Sequence, residues 1–134
     1  MRSHRAFAVF LLAALGAACV PAQADPAGPR TVEIWLHHSR FEPSTIWAEE
    51  GETLRFVIVN TDPIDHEFIV GDGEVQALHE RGTEAYHDPR PGEVTVLAGQ
   101  TMTTTYTFDG EDLLLGCHVP GHYAYGMRGV ILVG

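Results

Sequence analysis

The 134-residue chain contains no lysine: its eight cationic side chains are all arginine, set against eighteen carboxylates for a formal charge of −10. Such a surface offers no basic stripe to a phosphate backbone, which excludes nucleic acid as a partner. Sulfur is scarce, with two cysteines and three methionines. No internal repeat or low-complexity tract follows residue 30, which sets repeat architectures aside. Long apolar runs are missing apart from Ala6 to Val20, which is too short to span a bilayer comfortably. What remains, with 45% hydrophobic residues, has the composition and length of one globular domain.

That apolar run has a function of its own. Arg2 and Arg5 precede it and AQA stands just before Asp25, the small-x-small pattern of a signal peptidase site. The expected organisation is a secretory signal over 1–24, a flexible stretch over 25–30 and one domain over 31–134. An uncleaved membrane anchor is the bland alternative. Lipidation at Cys19 is another, since GAAC resembles a lipobox, although Leu15 sits one position too far upstream. Without the leader, six arginines face eighteen carboxylates, a formal charge of −12. An exported, periplasmic or extracellular protein this acidic attracts basic partners. Cys117 is then the single remaining thiol in an oxidising compartment, so that its sulfur is either buried and inert or occupied.

From residue 31 onward, short alternating segments are broken by Gly, Pro, Asp and Asn. Strands are expected over 31–38, 53–60, 65–71, 93–99, 101–108, 112–117 and 129–134. The segment TLRFVIVN (53–60) is nearly uniformly apolar and suits a strand buried on both faces. In TMTTTYTF, Met102, Tyr106 and Phe108 share one face while threonines line the other. About seven strands predict an all-β Greek-key sandwich or barrel. The exception lies within residues 71–92, whose centre has the composition of a short helix around 73–88, interrupted at Gly82 and ended by Pro89.

The chemistry gathers in CHVPGHYAYGM, residues 117–127, which place one thiol, two imidazoles and one thioether within eleven residues. Thiolate, imidazoles and a weak axial methionine make a blue-copper electron-transfer site. Zinc would use the cysteine and histidines but has no use for methionine. A catalytic Cys-His pair is the other rival, and it leaves the methionine unexplained.

Cys117, His122 and Met127 stand as Cys-x4-His-x4-Met with PGH inside and an apolar strand behind, and this loop resembles the C-terminal copper loop of the cupredoxins, with the spacing of azurin-like members. Upstream, FEPSTIWAEEGETLRFVIVNTDPIDHEF resembles the family's N-terminal half, in which a strand leads to the first histidine ligand. The resemblance implies one type 1 copper per chain, held by His66, Cys117, His122 and Met127, and a one-electron carrier rather than an enzyme. It implies a redox protein as partner, such as a basic c-type cytochrome docking at an apolar ring of Pro120, Ala124 and Tyr123 around His122, with the protein itself a monomer. The alternative is a periplasmic copper-tolerance or delivery protein using the same ligands. A ligand His66 from a separate strand is expected to tie the two sheets together at one end.

Departures from the family pattern are visible. Glu67 follows His66 where asparagine is usual, and either accepts a hydrogen bond from the Cys117 loop or faces solvent. His118 is expected to point away from the metal as a partly exposed neighbour, the alternative being a second copper centre as in resembling multicopper oxidases. His79 and His87, at helical spacing in the 71–92 insertion, raise the question of a second metal site with Glu80 or Glu84; a solvated cover over the barrel is the expectation. His37 and His38 are expected on opposite faces of one strand, unable to bind a metal jointly.

Overall fold

A computed structural model describes residues 28–82 and 88–134. The expected leader (1–24) and His87 lie outside the described residues. In chain order the elements are β1 (Arg30–His37), β2 (Arg40–Glu42), β3 (Thr45–Ala48), β4 (Thr53–Asn60), β5 (His66–Gly71), α1 (Gly73–Glu80), β6 (Glu93–Val96), β7 (Thr101–Thr107), β8 (Leu113–Gly116) and β9 (Arg128–Val133). All seven expected strands are present. The two that sequence reading missed, β2 and β3, are three and four residues long, too short for alternation to register.

Alternation builds the sandwich. In β1, Ile34 and Leu36 are wholly buried while Glu33, Trp35 and His37 are exposed, so the strand turns one face to a core. One sheet has the order β2-β1-β4-β7 and the other β3-β9-β8-β5-β6. Between them lie Phe56, Phe68, Phe108, Leu54, Leu115 and Ile131, all essentially inaccessible. Each such side chain contributes about 1.5–3 kcal/mol by leaving water, which makes this layer the foundation on which the site rests.

The segment 53–60 departs from expectation. It is central in its sheet, between β1 and β7, yet only one face is fully buried: Arg55 is exposed and Val57 and Val59 are half-buried on the outside. The reason is the location of the helix, which packs on β5 and β8 of the other sheet and leaves this face without a second layer.

Helix α1 ends at Glu80, and most of the rest of the expected stretch, over 83–87, lies outside the described residues. Asp72 caps it, accepting from the amides of Glu74 and Val75 at 2.9 Å each, and Gly82 at φ 70° follows its end. It is more than a solvated cover, because Gln76 and His79 are buried beneath it. At its start there is no room for a side chain at Gly71, where a Cβ would lie 2.5 Å from Val75. Among the described residues no helix is long and apolar enough to cross a membrane.

Candidate metal centre

The site is built from the end of β4 onward. The buried Asn60 amide donates to the carbonyls of Ile64 and Val96 at 2.8 and 3.0 Å, and its oxygen accepts from the Asp62 amide at 3.0 Å. This shapes the 61–65 connection and turns Asp62 toward the β1–β2 turn. There His38 and Ser39 take φ of 50° and 52°, and their amides each donate to the Asp62 carboxylate at 2.8 Å. The same carboxylate faces Nε2 of the wholly buried His66 at 2.9 Å. A carboxylate accepts, so Nε2 carries the hydrogen and the Nδ1 lone pair of His66 is left to face the site. Burial alone would raise the Asp62 carboxyl; the hydrogen bonds from Ser39, His66 and His38 outweigh it and hold it below the ordinary value.

The second side of the site is the loop between β8 and β9, folded upon its own backbone. The Cys117 amide donates to the Met127 carbonyl at 3.2 Å, the Met127 amide to the His122 carbonyl at 2.9 Å, and the His122 amide to the Val119 carbonyl at 2.9 Å. Gly121 and Gly126, at φ 87° and 97°, supply the left-handed turns this path requires. The loop sets His122 Nδ1 3.3 Å from Cys117 Sγ and 3.2 Å from His66 Nδ1, and Sγ lies 3.8 Å from His66 Nδ1. The sulfur also receives the Glu67 amide at 3.3 Å. Met127 is wholly buried in the core beside Cys117.

Three donor atoms, from His66, Cys117 and His122, thus lie within 4.8 Å of one another. They fit a metal cation: two imidazole nitrogens and a sulfur converge in a buried place, and Asp62 keeps His66 from pointing its N–H inward. The softness of the sulfur and the buried thioether of Met127 suit copper. Burial pushes the Cys117 thiol up to about 11, so the sulfur stays protonated near neutral pH unless a bound cation favours the thiolate. Burial, then the neighbouring His66, lowers the His122 pKa, with Asp62 and Glu67 opposing, which favours the neutral, ligating ring.

One expectation requires correction and another a finer statement. His66, Cys117 and Met127 do not bridge the sheets: β5, β8 and β9 all belong to the five-stranded sheet. The tie to the other sheet is Asp62, through the β1–β2 turn. His118 is half-buried as a residue, but the exposure is not that of its side chain, which is only 2% accessible and held under α1 by Gln76 and Glu80. It points away from the donors, as expected. Glu67 does accept from the Cys117 loop, taking the His118 amide at 3.1 Å.

Of the other described histidines, His37, His38 and His79 stay apart from this cluster, while Glu84, like His87, lies outside the described residues. His79 is buried, with Nδ1 2.9 Å from the Val75 carbonyl and Nε2 3.7 Å from Glu93. His38 falls in the turn beyond β1, so its ring lies 3.8 Å from that of His37 instead of on the opposite face. Among the described residues the only metal-holding group is His66, Cys117 and His122. Sequence reading overlooked Asp62, Asn60 and Gln76. Of these only Asp62 left a trace, an acid four residues before a ligand histidine.

Known proteins resemble this chain in sequence and in fold. The family description "Cupredoxin-like domain" matches residues 7–87, which include His66 and end before the Cys117 loop. The chain is 35% identical over 109 residues to the copper-resistant cuproprotein CopI of Rubrivivax gelatinosus, covering 78% of this chain and 66% of that one. It is 31% identical over 147 residues to the copper-resistant cuproprotein CopI of Pseudomonas aeruginosa, covering 84% and 80%. In fold it is similar to auracyanin A, a "blue" copper protein of Chloroflexus aurantiacus, with a TM-score of 0.65 at 22% identity over 80% of this chain and 100% of that one.

Proposed function

The chain belongs to the cupredoxin-like family, and from that premise we propose that it is an exported protein holding one type 1 copper through His66, Cys117, His122 and Met127 and carrying single electrons. The observation behind this reading is the convergence of His66 Nδ1, His122 Nδ1 and Cys117 Sγ on supports that are already in place. Bound copper supplies a one-electron Cu(I)/Cu(II) couple. The chain's part is to hold its donors still. Asp62 fixes the His66 ring, the Glu67 amide fixes the sulfur, and the Cys117 and Met127 backbones are hydrogen-bonded to each other. Donors so held move little when the charge among them changes by one unit, and low reorganisation favours fast transfer. Cys117 would lose its proton as copper bound, and the Met127 thioether would be the weak fourth donor.

The reading includes no catalysed substrate reaction. Its partner is a basic redox protein, such as a c-type cytochrome, drawn by the acidic surface of a periplasmic or extracellular monomer. Docking uses the exposed Pro120 and Ala124 of the His122 loop, joined by Tyr125, 83% exposed; Tyr123 is stacked on His118 instead. A second reading, copper tolerance or delivery by the same ligands, is favoured by the names of the two CopI relatives.

A redox titration of the copper-loaded protein followed in the visible tests both readings. An electron carrier cycles reversibly, whereas a sequestering protein retains Cu(I) and is reoxidised poorly. Cys117→Ser removes the intense sulfur-to-copper colour from a folded domain, while Met127→Leu keeps the colour and raises the potential. A coloured Cys117→Ser protein would falsify the ligand set.

A further inference from the structure

His118 lies next to Cys117 on the side away from the metal donors, and its surroundings are more elaborate than a bystander requires. Nε2 is 2.7 Å from Gln76 Oε1 and Nδ1 is 2.9 Å from Glu80 Oε2, both acceptors on α1. The Gln76 amide is oriented by the protein itself, because its nitrogen donates to the carbonyls of Ile69 and Leu114 at 3.2 Å each. Its oxygen is therefore the end that meets His118, and His118 Nε2 must be the donor. One face of the imidazole stacks on Tyr123, with ring centres 4.7 Å apart and planes 23° from parallel. Gly116 leaves room for this arrangement: a Cβ there would collide with Gln76 Oε1 and lie 2.8 Å from His118 Nε2.

The backbone carries the connection to the sulfur. The His118 amide donates to Glu67 Oε2 at 3.1 Å, and the Glu67 amide in turn points at Cys117 Sγ at 3.3 Å. Hydrogen bonds to the ring and the amide of His118, and to the carboxylate and from the amide of Glu67, thus link residue by residue a helix outside the sandwich to the sulfur.

We infer that α1 is a clamp on the metal site, with Gln76 and Glu80 as positioning residues that hold His118 and, through Glu67, keep an N–H on the Cys117 sulfur. This rests on the reading of Cys117 as a copper ligand. An N–H at the sulfur withdraws charge from it and favours the less positive, reduced metal. Loosening the clamp therefore lowers the reduction potential without removing a ligand. A helix that merely covers the sheet would affect stability alone.

The test compares the full protein with Gln76→Leu and His118→Phe, the latter keeping a ring to stack on Tyr123. Val75→Ala serves as control, since it loosens the packing of α1 on Gly71 outside the hydrogen-bonded set. In metal-free protein, exchange of the His118 and Glu67 amides with deuterium should accelerate about tenfold in Gln76→Leu and His118→Phe, as expected for the loss of one supporting hydrogen bond. After copper loading both variants should show a lower potential and a changed intensity ratio of the sulfur-to-copper bands. Val75→Ala should lower the unfolding midpoint, speed exchange by no more than that loss of stability, and leave the potential and the intensity ratio at wild-type values. The inference is overturned if the two variants match wild type in exchange, spectrum and potential, or if Val75→Ala reproduces their shifts. Should Gln76→Leu fail to fold, His118→Phe carries the same comparison. A wild-type protein that takes up no copper or stays colourless defeats the ligand reading instead, and amide exchange then decides alone whether the clamp exists.

Discussion

His66 and His122 bring ring nitrogens within 3.2 Å of each other from opposite kinds of support. His66 starts a strand, is wholly buried, and has its second nitrogen taken by Asp62, which also holds the turn between two strands of the other sheet. His122 sits in a loop, is partly exposed, and among the described residues its ring bonds to the other donors through Nδ1. One histidine is placed by the sandwich and the other by a local loop. On the proposed reading the difference would separate two tasks, since a fixed donor would define where a metal sits while an accessible one would connect it to the outside.

The widest gap between the two sides should be in stability. Asp62→Ala leaves two turn amides and the His66 N–H without their acceptor, at a cost of about 3 kcal/mol in urea unfolding of the metal-free protein. His122→Ala, in a partly exposed loop, should cost less than about 1 kcal/mol. Equal costs would erase the distinction between scaffold and loop.

Acid should separate them next. Asp62 is held below its ordinary value of 3.8, so its contribution is present above that pH and disappears as pH falls through the folded value. His122 is lowered from 6.5, so its contribution is likewise full above 6.5 and declines as pH falls through its lower folded value. Metal-free protein should therefore lose stability in two steps on acidification, one below 6.5 and one below 3.8. His122→Ala should abolish the first and Asp62→Asn should diminish the second, to which Glu52, lowered by its bond with Arg30, also contributes. A single step untouched by either variant would show that these groups do not govern acid stability.

The smallest effect concerns access. Ala124→Glu, on the loop side, should slow electron transfer to a basic cytochrome several-fold with little change in potential, because it obstructs docking and touches no ligand. Raising salt from 0.1 to 1 M shortens the screening length from about 10 to about 3 Å and should slow the same reaction. Stopped-flow rates that ignore both changes would remove the loop side as the docking face.

Legibility followed the same divide. Alternation in segments such as 30–37 and 101–107 made the strands readable, since the pleat writes burial directly into every second residue. The 117–127 loop was readable because its functional residues are close in sequence, and a tight loop turns sequence spacing into spatial spacing. His66 was reached only through resemblance, fifty-one residues before Cys117. The short strands β2 and β3 were not apparent, for too few residues carry each pattern.

By itself, then, the sequence determined an all-β chain with a Cys-His-Met loop of copper-binding character, because pleat periodicity and donor chemistry are local properties. Tertiary structure decided that His66 and Cys117 meet where neighbouring strands β5 and β8 end, that Asp62 selects the nitrogen His66 presents, and that Gln76 of α1 meets the ring of His118, whose amide meets Glu67 beside the sulfur. Each of these depends on which buried donor meets which acceptor across distant parts of the chain. The cost of burying either one alone enforces that pairing, and it appears only when the sheets close.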